Sequence, residues 1–390
     1  MGNNFFQLTH KAINSIRTRG VSHTTKRIAY WMLGHTKDGG IIKEFENDNM
    51  LHLAFYPSGG LGDYIISRVI LEYVMQLADC DVTIYVDKLA FAKAIYGDIT
   101  DKYKLWYEYD VEARYYDLAL WVEHFVHVDF IRGQRVRAFS EELAEKCEYV
   151  KYKKWKELYI DIPEQWWRER IRFENCKVLG LDRWTELGMQ GVFEISTHKV
   201  TIPMTPVDEL KEDITIFEYP YITINYGSDV MVKDRKQLKL WSKEGYINLI
   251  KLIKTEYPKI QVYQLGDAKA EKIPCVDNYI LGKDLEYIKH VLKNSLCHID
   301  CEGGLVHLAT QFDTKCVVLF GPTPVHMYGY PQNINIVSEY CSNCMGLHEM
   351  WAYDCYKGHD SSKCMEAISA ERVFKEVKKV VGNEDHKKVN

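Results

Sequence analysis

From residue 51 onward, short apolar runs alternate with longer amphipathic ones, and the alternation occurs twice. The first series reads "LHLAFY", "DYIISRVILEYVMQLA", "DVTIYV", "KLAFAKAIYG" and "YYDLALWVE". The second reads "YITINYG", "GYINLIKLIKTEY", "IQVYQLGD", "DLEYIKHVLKN", "LCHIDCE", "GLVHLATQF" and "KCVVLFGPT". Strands that alternate with helices lie parallel, because each connection must cross back over the sheet and cover one of its faces. Between the two series stands "TIPMTPVDELKEDITIFEYP", whose three prolines and acidic residues suit a linker. The chain is therefore expected to be α/β with two Rossmann-like halves, which suits 390 residues better than one domain does. The expected bounds are a basic extension at 1–50, a first domain at 51–205 and a second at 206–390. Residues 130–195, rich in Trp, Tyr, Arg and Glu, read as helical, and as surface and groove wall more than core. Open α/β sheets bind ligands beyond the carboxyl ends of their strands, so two facing domains put a site in the cleft between them.

Composition narrows the function classes. A 46% hydrophobic and 27% charged chain with net charge −5 is globular and carries no electrostatic bias toward nucleic acid. No run of about 18 apolar residues is present and the N-terminus lacks the apolar core of a signal peptide, so a cytoplasmic location with reduced thiols is expected. The first 37 residues hold Lys11, Arg17, Arg19, Lys26, Arg27 and Lys37 and no acidic residue, with Phe5, Phe6, Trp31 and Leu33 among them. Two readings stay open for this stretch. It packs on its own domain or on a neighbouring subunit of a homo-oligomer, or it makes a peripheral contact with the anionic inner face of a membrane.

The chemistry-bearing residues cluster at strand ends. In the first half, Gly59, Gly60, Leu61 and Gly62 separate an apolar strand from a helix that opens with Asp63. Small residues let a ligand approach the backbone, and the helix dipole favours an ionised carboxylate there; a plain helix cap is the competing reading. The loop fits the dinucleotide fingerprint poorly, since that motif needs G-x-G-x-x-G and an acidic residue about 20 positions on. In the second half, Glu302, Gly303 and Gly304 follow "LCHID" and open a helix bearing His307, and "KCVVLF" ends in Gly321, Pro322 and Thr323. A carboxylate, glycines and a histidine at adjacent strand ends suit the ribose and diphosphate of a nucleotide. His307 reads equally well as a hydrogen-bonded core residue.

In order and spacing, "GGLGD", "QLKLW", "EGGLVHLA" and "LFGPT" resemble the family 9 glycosyltransferases, the lipopolysaccharide heptosyltransferases and their relatives, over residues 50–375. The resemblance implies a GT-B fold and an inverting transfer of a sugar, heptose from ADP-heptose in the first instance. The acceptor is a saccharide, a lipopolysaccharide or a protein hydroxyl. It implies Asp63 as the general base and Lys239 as the lysine at the donor phosphates. Glu302 stands where the family usually has Asp, with Gly304 and His307 in register behind it. The extra methylene of Glu302 makes the identity of the donor sugar less secure than the family. Asp267, in "QLGD", is a further candidate to face the nucleoside. Lys239 and helix N–H groups near Gly304 and Thr323 are expected to stabilise the leaving diphosphate without a divalent metal. Competing classes are a nucleotide-dependent oxidoreductase on twin Rossmann domains and a noncatalytic sugar-nucleotide-binding or scaffold protein.

The tail "CSNCMGLHEMWAYDCYKGHDSSKC" spaces Cys341, Cys344, Cys355 and Cys364 as C-x2-C-x10-C-x8-C. Four thiolates with a close first pair suit one tetrahedral structural ion, against a disulfide alternative. Zinc is the commoner ion; iron is what the autotransporter branch of the resembling family implies.

Overall fold

The computed structural model describes residues 49–154, 167–189, 191–227, 237–348 and 350–384. The basic N-terminal extension, with its membrane and subunit readings, lies outside the described residues.

The first sheet contains β1 (Leu51–Pro57), β2 (Cys80–Val86), β3 (Tyr103–Leu105), β4 (Leu118–Val122) and β5 (Val126–Ile131), in the order β3-β2-β1-β4-β5. All pairings are parallel except the β4–β5 hairpin. Every residue of β1 is buried, which is why it reads as a continuous apolar run and not an alternating one. Leu53 pairs with Val82 on one side and Leu118 on the other. The helices of this half are α1 (Leu61–Leu77), α2 (Leu89–Tyr96), α3 (Trp106–Glu112), α4 (Gly133–Phe139) and α5 (Glu141–Tyr149).

The second sheet contains β6 (Tyr221–Asn225), β7 (Gln261–Gly266), β8 (Asn278–Leu281), β9 (His298–Cys301), β10 (Cys316–Phe320) and β11 (Ile334–Val337). Its order is β11-β10-β9-β6-β7-β8 and every pairing is parallel. Between the sheets runs α6 (Trp167–Leu179); α7 (Lys243–Glu256), α8 (Leu285–Asn294), α9 (Gly304–Gln311), α10 (Val325–Tyr328), α11 (Lys363–Glu366) and α12 (Ala370–Glu384) follow. Side chains start two of these helices: Ser242 Oγ accepts the Gly245 N–H at 3.0 Å and Asp284 Oδ1 the Glu286 N–H at 2.8 Å. Val373, Val377 and Val381 of α12 share a core with Leu249, Ile250 and Ile253 of α7.

The two halves abut. One buried apolar cluster includes Leu53, Ile65 and Ile84 of the first half and Val306, Leu308 and Phe320 of the second. Residues 167–189 and 191–200 bridge them. Toward the second half, the Arg183 N–H donates to Met327 O at 3.0 Å and Trp184 Nε1 to the Tyr330 hydroxyl at 3.0 Å. Toward the first, Lys146 Nζ donates to Val192 O at 2.8 Å, and the Tyr73 and Phe193 rings meet edge-on. This corrects the surface reading of residues 130–195. Leu143, Cys147, Phe173, Trp184, Leu187 and Phe193 are core, and Arg172, Arg183 and Glu186 are buried among them. The described part of the segment does include helices, α4, α5 and α6, as expected, but also part of β5. The proline-rich stretch at 201–220 contains only two short 3-10 turns, Val207–Glu209 and Thr215–Glu218.

Candidate active site

The loop between β1 and α1 is shaped by its glycines and by Asp63. Gly59 has φ +113°, in the left-handed region where a side chain is strained, and a Cβ there would lie 2.3 Å from Asp63 Oδ2. Asp63 sits in the first turn of α1 and its Oδ2 accepts the Gly60 N–H at 2.9 Å, so the aspartate does cap its helix. It does more than that. Its Oδ1 receives Arg183 Nη2 at 3.0 Å, with the carboxylate 31% exposed and the arginine 1% exposed.

Gly62 and Gly304 let the two halves meet. A Cβ on Gly62 would fall 2.4 Å from His307 Cδ2, and one on Gly304 would fall 2.9 Å from Leu61 Cβ. The first turns of α1 and α9 therefore pack together. Two helix N-termini brought this close repel through their dipoles, and the nearby carboxylates of Asp63 and Glu302 offset that repulsion.

Glu302 is brought to this junction directly after β9. Lys239 Nζ donates to its backbone carbonyl at 3.3 Å and lies 3.9 Å from its Oε2, while His307 Nε2 lies 3.9 Å from its Oε1. Both longer distances are beyond hydrogen-bond reach; the Lys239 one is an ion-pair contact, and the His307 one is a contact of an uncharged ring. Burial pushes the Glu302 carboxyl up, Lys239 pulls it down, and Asp63 and Asp300 add to the rise. Burial also holds His307 down, to about 4; Asp63 favours its charged form, while Arg183 and Lys239 oppose it. Its Nδ1 is hydrogen-bonded to the Tyr330 hydroxyl at 2.6 Å, which also accepts Trp184 Nε1–H at 3.0 Å, and its Nε2 faces Glu302. His307 is thus a hydrogen-bonded interior residue that also lines the Glu302 side of the junction.

The other expected donor residues are placed as follows. Gly303 is the residue before α9 and meets only Cys301 O, at 3.8 Å from a built Cβ, so it leaves backbone accessible. Gly321, Pro322 and Thr323 follow β10, the neighbour of β9, and Thr323 is buried. Only four residues of helix, α10, follow that turn, against eight in α9, so the dipole at the start of α9 is the stronger of the two. Asp267 is exposed after β7, where its Oδ1 accepts the Lys269 N–H at 2.6 Å and caps its own turn. Arg183 was missed at the sequence level. It lies 120 positions from Asp63, in a stretch with neither strand nor helix periodicity, and only its burial in the folded chain marks it.

All eleven cysteines are free thiols. Burial raises the Cys344 thiol to about 11, with Cys364, Cys355 and Cys341 adding to it, and Cys341 is raised by burial and then by Cys364 and Cys355. Among the described residues no three His, Cys, Asp or Glu side chains stand close enough to hold a metal ion, so the four thiols are not gathered into a ligand set here. The segment is bonded to the Gly321–Pro322 turn and to the residue before Lys239. The Asn343 N–H donates to Gly321 O at 2.8 Å, the Met345 N–H to Pro322 O at 2.9 Å, and the Leu238 N–H, beside Lys239, to Ala352 O at 2.7 Å. Arg170 of α6 donates to both Asn343 O and Oδ1 at 2.7 Å.

Comparison with solved structures decides the architecture. The iron-containing dodecameric glycosyltransferase TibC of enterotoxigenic E. coli is similar over 87% of this chain and 81% of its own, at 15% identity and TM-score 0.54. A family 9 glycosyltransferase from Veillonella parvula and the E. coli ADP-heptose lipopolysaccharide heptosyltransferase II each match 86% of this chain and 100% of their own, at 13% identity and TM-score 0.50. The fold is that of the family 9 glycosyltransferases. No family model matches the sequence and no curated protein matches it. The family 9 fold has two Rossmann-like sheets, and the junction of α1 with α9 lies where the carboxyl ends of β1 and β9 meet. No helix among the described residues is long and apolar enough to cross a membrane.

Proposed function

We propose that the protein is an inverting glycosyltransferase that moves a sugar from a nucleoside-diphosphate donor to a hydroxyl acceptor. The observation that carries this reading is the meeting of α1 and α9, which sets Asp63 beside a donor-side cluster of Glu302, Lys239, Gly303 and Gly304. In the transfer, the acceptor oxygen forms a bond to the anomeric carbon as the bond to the diphosphate breaks. Asp63 takes the acceptor proton, and the diphosphate leaves with the electron pair. Lys239 and the first N–H groups of α9, which have no partner within the helix, meet the charge that develops there. Glu302 faces the ribose or the sugar, and Gly321, Pro322 and Thr323 form the turn beside it. Asp267 is the outermost candidate, on the nucleoside side.

Heptose from ADP-heptose is the first donor to test, because the similar E. coli enzyme is an ADP-heptose heptosyltransferase. The acceptor is a saccharide, a lipopolysaccharide or a protein hydroxyl. TibC is dodecameric, which supports a homo-oligomer here too. Cys341, Cys344, Cys355 and Cys364 are proposed to hold one structural ion, zinc or iron. Their spacing in the sequence and their all-thiol donor set suit such an ion, which would supply folding free energy and leave no open position for catalysis.

A thermal-shift panel of ADP, GDP, UDP, dTDP and NAD tests the donor reading. One nucleoside diphosphate is expected to raise the melting temperature and NAD is not. Stabilisation by NAD alone contradicts the reading, and nucleotide binding without sugar transfer points to a noncatalytic binding protein.

A further inference from the structure

We infer that Arg183 is the positioning residue for Asp63, and that the buried Arg183–Glu186–Arg172 ladder aims the base at the acceptor; this rests on the reading of Asp63 as base. Three observations converge on it. Arg183 is 1% exposed, yet its Nη2 reaches out to Asp63 Oδ1 at 3.0 Å and also donates to Glu123 O at 2.6 Å. On its other side, Nη1 meets Glu186 Oε1 at 3.2 Å, and Glu186 is itself gripped by Arg172 Nη1 through both oxygens at 2.8 Å. Arg172 closes the ladder on Glu169 at 3.2 Å.

A buried guanidinium is expensive to leave unmatched; Arg183 Nε has no partner, but Nη1 and Nη2 together make three hydrogen bonds, and a planar fork held at three points has little freedom to turn. Arg183 is therefore a fixed support, and Asp63 is the exposed end of it. With Oδ1 on Arg183 and Oδ2 on the Gly60 N–H, the carboxylate cannot rotate about its Cβ–Cγ bond, and each oxygen keeps a second lone pair for an acceptor O–H. A carboxylate that only capped α1 would need Gly60 alone. The ladder also ties the base to the second half, because the Arg183 N–H holds Met327 O at 3.0 Å and Arg172 comes from α6. The aim of the base thus depends on the seating of the two halves.

A double-mutant cycle tests the assignment, with ADP-heptose as donor and crude host extract as acceptor. Rates of transfer are measured for Arg183→Met and Asp63→Asn, alone and together, with ADP affinity followed by calorimetry. Arg183→Met is expected to lower the maximal rate by about tenfold or more while ADP affinity stays within about threefold. In the Asp63→Asn background the same substitution is expected to cost less than about threefold, because a residue that acts through Asp63 has nothing left to act on. Arg183→Lys should recover part of the loss; it also supplies the cycle if Arg183→Met does not fold. An undiminished rate in Arg183→Met, or an equal loss in both backgrounds, overturns the assignment and leaves Asp63 as base. Unchanged transfer in Asp63→Asn alone overturns the base itself.

Discussion

Lys239 Nζ lies 3.9 Å from Glu302 Oε2, too far for a hydrogen bond, and donates at 3.3 Å only to the Glu302 backbone carbonyl, so a donor diphosphate competes with one long hydrogen bond for the lysine. Lys239→Ala should weaken binding of the nucleoside diphosphate by about 1.5–3 kcal/mol, the usual contribution of a hydrogen bond to a charged group. Calorimetry that finds the affinity unchanged removes Lys239 from the donor site. His307 gives a pH signature. Its folded value is held down to about 4 while the unfolded chain titrates near 6.5, so between those values the unfolded state binds the extra proton. Stability therefore rises with pH across that window and is lost as pH falls through it, by at most about 1.4 kcal/mol per pH unit for this one group. His307→Gln keeps a partner for Tyr330 and removes the titration. Denaturant unfolding at pH 5 and 7 should show a smaller difference for the variant than for the parent, and an equal difference contradicts this account. Asp63, Glu302 and Lys239 were legible because short motifs carry them. Arg183 was not, since no local pattern links a buried arginine to a carboxylate 120 residues away.

Among the elements, the β1–α1 loop offers an internal comparison. Gly62 faces His307 with a built Cβ at 2.4 Å, whereas Gly60 has only Asp63 Oδ2 at 3.8 Å and an ordinary negative φ. Gly62→Ala should cost about 1–3 kcal/mol of stability by forcing α1 from α9, and should lower transfer as well. Gly60→Ala keeps the N–H that Asp63 accepts and should be nearly neutral; equal melting temperatures for the two variants contradict the packing described. The cysteine segment is the second case. If it holds an ion, elemental analysis should find about one equivalent of zinc or iron, and Cys344→Ser should release it and lower the melting temperature. Because Asn343 and Met345 hold the Gly321–Pro322 turn, and Ala352 the residue beside Lys239, that variant should also bind ADP more weakly. Metal-free protein purified under reducing conditions without chelator would exclude the ion. The central strands could be read from sequence because both their faces are buried, as in β1 and β10. The edge strands β3, β8 and β11 could not. They have at most one buried residue each and so carry no apolar run.

For the whole molecule, the twofold alternation of strands and helices was enough to give two sheets, parallel but for the β4–β5 hairpin, but not how they sit together. That depends on residues 167–189 and 191–200, whose buried Arg, Glu and Trp side chains look from composition like surface and work as the joint between halves. The joint brings the helix start that holds Asp63 onto the helix that follows Glu302, and the proposed reaction requires that juxtaposition. The most direct measurement is mass spectrometry of products from the parent protein and Asp63→Asn, each incubated with ADP-, GDP-, UDP- and dTDP-sugars and crude host acceptors. The account predicts an acceptor heavier by one sugar with a single class of donor, formed about 10²-fold more slowly by Asp63→Asn while donor affinity stays within a few-fold. No transfer from any donor, or transfer undiminished in Asp63→Asn, would contradict it.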